Sequence, residues 1–519
     1  MHLVIVHHHF RPGGVRRVIE LAAPALARSL APPVRQVVLV GGEAPEAGWL
    51  DRLRHRLGPI PVQVLASRVA GYATDQPLPP ARRRQRIRRL LARLAASVSG
   101  EGCVVWLHNP GLGRNLVLNA ELVRLCTARH WPLVFHHHDW WFDHRWRRWQ
   151  EMRRAGGGTL RQVAQRILPG DLPVRHVAIN QADARRLRRH FGDRAAWWPN
   201  PGEATSRPAA VRVSRARSWL QREIGEVAPV WLVPARLLRR KNVAEALLLA
   251  RWLRPEAWLA TTGGASSSNE AAYAHALATA AREEGWKLRL GLLARGEQEK
   301  PAVPDLLAGA EAVLLTSLKE GFGLPFLEVS AAGRPFIGRR IPDVAPDLAH
   351  GGFEFPQLYA DLRVDPRLFD HAAEFARQEE LFAHWRRSLP RTCRSIAEPP
   401  ALLAGGDPAG AVPFSRLTLH AQLEVLRHPA EDSWALCVTL NPFLEAWRKL
   451  ASRGALRASV WPATASAWLS GPAYARRFAA LLRARPARHL PRAAPIRTQL
   501  DFLRTKLRTE NAYPLLWGA

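Results

Sequence analysis

The sequence predicts an α/β protein made of two doubly wound, parallel-sheet units followed by a mostly helical C-terminal extension. Short apolar runs alternate with helical patterns from residue 1 to about residue 350, the arrangement of a parallel sheet with crossover helices. Several of those runs end in glycine-bearing turns that open a helix, the place where open α/β sheets bind ligands. The chain has 519 residues, too many for one domain and suited to two such units plus an addition.

Taken in order, Leu3 to Val6 reads as a first strand and Arg11-Pro12-Gly13-Gly14-Val15 as the loop after it. Val15, Val18, Ile19, Ala22 and Leu26 recur at helical spacing, with Pro24 predicting a kink, and Val37 to Val40 is the next strand. Arg82 to Leu94 is amphipathic, with Ile87, Leu90, Leu91 and Leu94 on one face and arginines around the rest. Such a helix suits a membrane interface and equally a sheet of its own domain. Pro132 to Asp139 is a strand ending in His136, His137 and His138, and alternation points His136 and His138 one way and His137 the other. His7, His8 and His9 close the first strand, which places both triplets at one sheet edge. Neither has the Cys or carboxylate spacing of a zinc site, so cleft lining or structural histidines are expected and no metal. Trp140, Trp141, Phe142, Trp146 and Trp149 follow, as acceptor lining, membrane contact or core. Val177 to Asn180 is a further strand and helix start, and Pro199 to Gly202 a turn.

The second unit opens with an apolar strand between Pro229 and Pro234, followed by Arg236-Leu237-Leu238-Arg239-Arg240-Lys241-Asn242. Leu259 to Gly264 is a strand and glycine turn, and Ala312 to Thr316 a buried strand. After it comes Glu320-Gly321-Phe322-Gly323-Leu324-Pro325-Phe326-Leu327-Glu328. Glycines at a strand-to-helix turn let backbone amides approach a ligand, Pro325 suits the first helical position, and a helix N-terminus attracts anions. Glu328 is expected on the first helical turn, within reach of ligand hydroxyls. Phe382 to Ser388 reads as helix, Glu398 to Pro408 as a Pro/Gly/Ala linker, and residues 411 to 519 as mixed helix carrying no recognisable chemistry. The expected divisions are residues 1–205, 206–375 and 376–519, the last a helical crossover and extension of unknown role.

The run from Glu320 to Glu328 resembles the Glu-x7-Glu signature of retaining glycosyltransferases of family four, which have the GT-B fold of two Rossmann-like domains facing a central cleft. Arg236 and Lys241 match that family's Arg-Leu-x3-Lys element. Gly13-Gly14 is similar to its glycine loop, and His138 to the histidine of its His-Asp strand end. All these elements stand in the family's order. The resemblance implies a metal-independent transfer from a nucleotide-diphospho-sugar without a cofactor. It implies that Arg236 and Lys241 hold the donor diphosphate, that Gly14 and the loop Gly321, Phe322, Gly323 and Leu324 supply amides, and that Glu328 binds ribose. Glu320 and His138 then meet the transferred sugar. Fixed cations suit such chemistry because negative charge grows on the leaving diphosphate.

The formal net charge is +31, most of it from arginine, as an Ala- and Arg-rich GC-biased coding sequence would give. A surface of this kind attracts polyanions or an anionic bilayer, but no zinc-finger spacing, RNA-binding aromatic signature or basic zipper points to nucleic acid. Four scattered cysteines, Cys103, Cys126, Cys393 and Cys437, are cytosolic usage. With no secretory signal evident and no stretch long enough to span a bilayer, the expectation is a bacterial cytoplasmic protein, any membrane contact being peripheral. The acceptor is open between glycan, lipid-linked and small-molecule types. Two rival readings are a sugar-nucleotide epimerase on the same fold and a non-catalytic polyanion-binding protein.

Overall fold

The computed structural model describes residues 1–98, 102–204, 208–265, 268–294, 300–405, 410–484 and 490–517. The chain divides into two compact units, the first Met1–Glu203 with Ser388–Ile396 and Thr464–Leu507, the second Ala204–Arg387 with Ala397–Ala463 and Arg508–Ala519. The expected division between residues 205 and 206 and the linker end at Pro408 lie outside the described residues.

In the first unit seven parallel strands form one sheet: β1 (His2–Val6), β2 (Gln36–Gly41), β3 (Val62–Ala66), β4 (Cys103–His108), β5 (Leu133–His137), β6 (Val174–Ala178) and β7 (Ala195–Trp197). Their order is β3-β2-β1-β4-β5-β6-β7, so direction of winding reverses between β1 and β4. Both faces of β1 are buried. Leu3 and Ile5 join a core with Ile19, Leu26 and Trp106, while Val4 and Val6 join another with Val105 and Leu107. Continuous apolar strands of this kind are what a sheet covered by helices on both sides requires.

The helix Gly14–Ser29 runs unbroken through Pro24 and does not end at it. The amphipathic helix Pro80–Ser97 buries Ile87, Leu90, Leu91 and Leu94 in the core of its own sheet, at 0–4 % exposure. This corrects the membrane reading of that face: the apolar stripe is already covered. Arg83 is buried too, donating to the carbonyls of Ala73 and Gln76 at 2.9 and 2.5 Å. Trp140, Trp141, Phe142, Trp146 and Trp149 are likewise core, each at most 8 % exposed, and offer nothing to a bilayer.

The second unit has six parallel strands, β8 (Val230–Val233), β9 (Trp258–Thr261), β10 (Leu288–Arg289), β11 (Ala312–Leu315), β12 (Phe336–Arg339) and β13 (Leu358–Tyr359). They lie in the order β10-β9-β8-β11-β12-β13, with the reversal between β8 and β11. No helix among the described residues is long and apolar enough to cross a membrane.

The stretch expected as an appended extension, 376–519, is shared between the two units. Tyr474, Ala475 and Phe478 of the helix Gly471–Arg483 sit in the core with Leu3 and Ile5. Close approach to the helix Gly14–Ser29 is possible because Gly471 has no Cβ; one built there would stand 2.9 Å from Ala25 Cβ. In the second unit Phe414, Leu417, Trp447 and Tyr513 share a core with Trp231, Leu247 and Trp252.

Candidate active site

In the second unit the site grows from the carboxyl ends of β8 and β11, the adjacent strands at the winding reversal. Beyond β8 the chain makes a short 3-10 turn, Arg239–Lys241, and Asn242 takes a left-handed conformation (φ 46°) before the helix Val243–Leu253 begins. Asn tolerates that backbone better than most residues do. Thr316, just past β11, places its hydroxyl 2.9 and 3.0 Å from the carbonyls of Lys241 and Asn242, tying the two strand ends together. Asn242 Nδ2 donates to Glu245 at 2.8 Å, and fully buried Glu245 also accepts from Arg339 and Tyr359. Nothing in the local pattern announced Glu245 or Arg339, because each acquires its meaning from a partner some distance along the chain.

Lys241 and Glu320 are brought together. The Lys241 ammonium donates to one Glu320 carboxylate oxygen, and Arg240 Nη1 donates to the other at 3.1 Å and to the Lys319 carbonyl at 2.9 Å. Burial alone would raise the Glu320 pKa, but the two cations outweigh it and hold the carboxyl at about 2. The same burial pulls Lys241 below the ordinary lysine range, against the opposing pull of Glu320. Glu328 also lies near enough for its charge to support the Lys241 cation. Arg240, one of many arginines in the sequence, was not singled out there, and only the fold sets it apart. Arg236 stands elsewhere: it is exposed, beside the Gly263 turn, and makes no ion pair among the described residues.

The loop from Gly321 leads into the helix Leu324–Ala332, with Gly323 as its N-cap in the left-handed region (φ 87°). A side chain there would put Cβ 2.6 Å from Val344 Cγ1, so both backbone and space demand glycine. Phe322 is buried beneath the loop. Pro325 is the second helical residue rather than the first, and Glu328 is the fifth, exposed and just past the first turn where the sequence placed it.

In the first unit Gly14 is exposed and starts its helix. His138 follows β5, with its backbone N–H donating to Asn109 Oδ1 at 3.1 Å, and the residue is 8 % exposed. Burial lowers its pKa to about 4. Strand alternation separates the triplet as expected: the His136 and His138 rings lie 4.1 Å apart, while His137 stacks on Trp140 at 4.2 Å and pairs with His176 at 3.1 Å. The other triplet lies at the same edge. His8 meets the Ala70 carbonyl, His9 meets the Tyr72 hydroxyl, and His7 lies 6.0 Å from His108, ring centre to ring centre. His108, at the end of β4, is a member of the cluster that the sequence did not reveal.

Residues 221–352 match the family described as Glycosyl transferases group 1. Mannosylglucosyl-3-phosphoglycerate synthase of Petrotoga mobilis is 25% identical over 255 residues, which is 48% of this chain and 48% of that protein. The chain thus spans about half the length of this curated relative. Among solved structures, the N-terminal domain of Candida albicans trehalose-6-phosphate phosphatase superposes with TM-score 0.51 at 12% identity, covering 93% of this chain and 96% of that one. Anabaena HepE in complex with UDP and glucose has TM-score 0.49 at 15% identity, covering 92% and 98%. Residues 221–352, which include Lys241, Glu320 and Glu328, are thus similar to the glycosyl transferases group 1 family, within a chain whose two Rossmann-like units are of the GT-B type.

Proposed function

We propose that the protein is a retaining glycosyltransferase that moves a sugar from a nucleotide-diphospho-sugar to an acceptor without a metal. One observation carries the reading. Lys241 and Arg240 converge on an ionised, largely buried Glu320 beside a glycine-opened helix N-terminus, at the winding reversal of a parallel sheet. In the reaction the bond from the anomeric carbon to the diphosphate breaks, and the acceptor oxygen bonds the same carbon on the same face. Charge grows on the departing diphosphate, where cations and the amides around a helix N-terminus stabilise it. Lys241 and Arg236 hold that diphosphate, the amides of Gly321, Phe322, Gly323 and Leu324 and of Gly14 support it, and Glu328 accepts from ribose. Glu320 and His138 address the transferred sugar.

The test is a panel of UDP-, GDP- and ADP-sugars, scored by thermal stabilisation and by release of nucleoside diphosphate, with EDTA present throughout. Stabilisation by one nucleotide class, with release that depends on added acceptor and survives chelation, is the expected result. An epimerase would release nucleotide without any acceptor, and a protein indifferent to every donor would end the transferase reading.

A further inference from the structure

Three histidines that the chain supplies from two strands meet at one point. β4 and β5 are neighbours, and they end at His108 and at the triplet His136 to His138. A ring nitrogen from each of His108, His136 and His138 lies within 4.8 Å of the others, and all three residues are buried. His108 Nδ1 and His138 Nε2 are 3.0 Å apart. The Nε2 atom of His136 is buried with no hydrogen-bond partner. A histidine kept for packing normally satisfies its ring nitrogens, because an unsatisfied buried polar atom is costly. Here the His136 Nε2 goes unsatisfied within the cluster, which the ends of β4 and β5 form beside the winding reversal at β1 and β4, where open sheets bind ligands.

We infer that His108, His136 and His138 form a binding site for a divalent transition-metal ion of the zinc, cobalt or nickel type. Three imidazoles without a carboxylate or thiolate favour such ions over magnesium or calcium. Two nitrogens bound tetrahedrally at about 2.0–2.1 Å from zinc stand roughly 3.3 Å apart, close to the His108–His138 separation, so the ion takes the place of the proton those rings share. His136 coordinating through Nε2 carries its own proton on Nδ1, which lies 3.4 Å from the Tyr474 hydroxyl. That hydroxyl accepts it, at the expense of the 3.3 Å contact from the Trp106 indole N–H to the same atom. A fourth position is left for water or a ligand oxygen.

The inference touches the proposed transfer at His138: a bound ion there blocks the sugar contact, so it inhibits and is not needed for turnover. Binding is measured without turnover, which keeps its failure separate from failure of the transferase reading.

The full-length chain, freed of metal, is titrated with cobalt(II) and with zinc, followed by desalting and elemental analysis. One retained equivalent with a tetrahedral cobalt spectrum is expected, undisturbed by excess magnesium. Affinity falls at least about 100-fold in His108→Ala and in His136→Ala and about 10-fold in Tyr474→Phe, while His420→Ala, an exposed histidine, binds as wild type. X-ray absorption on the loaded wild-type protein needs no variant and should show three imidazoles without sulfur. No retained equivalent, retention unchanged in His108→Ala, or fewer than three imidazoles around the ion each overturn the site.

Discussion

Replacing Lys241 by Met should change stability in a way that depends on pH. Lys241 is 8 % exposed and its ammonium meets Glu320, whose carboxyl is held near 2 instead of the ordinary 4.5. A carboxylate depressed on folding stabilises the native state above its unfolded pKa, and that stability drains away as pH falls through the folded value. A fall from 4.5 to about 2 is linked to about 3 kcal/mol, present above pH 4.5 and lost toward pH 2. In Lys241→Met, burial pushes the Glu320 pKa back up with Arg240, at 3.1 Å, and the Ser317 side chain left to oppose it. The variant should therefore lose about 2–3 kcal/mol at neutral pH, the low end for breaking a buried pair, and show a flatter profile below pH 4.5. Adding Glu320→Gln removes the stranded charge and should restore most of the loss at pH 7 without restoring turnover. Urea unfolding of the three proteins between pH 2.5 and 7 measures this. A Lys241→Met profile parallel to wild type, or a double variant less stable than the single, would refute the pairing argument.

Arg236→Ala should cut turnover by about 100-fold yet leave the unfolding midpoint unchanged, since the side chain is exposed and unpaired among the described residues; turnover within a few-fold of wild type removes Arg236 from the diphosphate site. Calorimetry with nucleoside diphosphate should find affinity weakened in Glu328→Ala and retained in Glu320→Ala, whose defect is in rate; equal losses in both mean the roles are misassigned. Gly323→Ala should cost about 1–3 kcal/mol, because it meets Val344 in a left-handed turn, and a midpoint equal to wild type counts against that geometry. Co-sedimentation with anionic vesicles, if it occurs, should be abolished by salt and by Arg82→Glu, Arg86→Glu and Arg89→Glu together; a salt-resistant fraction would contradict the burial of Ile87, Leu90 and Leu94.

The sequence by itself determined what short-range chemistry encodes. Gly321-Phe322-Gly323 after an apolar run reads as a turn that opens a helix, and Lys241 behind β8 reads as a cation at a strand end, because backbone preference and side-chain alternation act over a few residues. Long-range pairings had no such signature. Arg240 was one arginine among many until β8 and β11 became neighbours and set it on Glu320. His108 stood alone in β4 until sheet order put it beside His138. The stripe of Ile87, Leu90 and Leu94 stated its amphipathicity plainly but not its partner, for a hydrophobic face has no direction and buries against whatever surface the fold presents. The C-terminal helices were legible as helices, yet their destinations in two different cores depended on which grooves the sheets left to be filled, Gly471 against Ala25 among them. Local conformational preference is written residue by residue; the choice of neighbours is made by close packing of the whole chain.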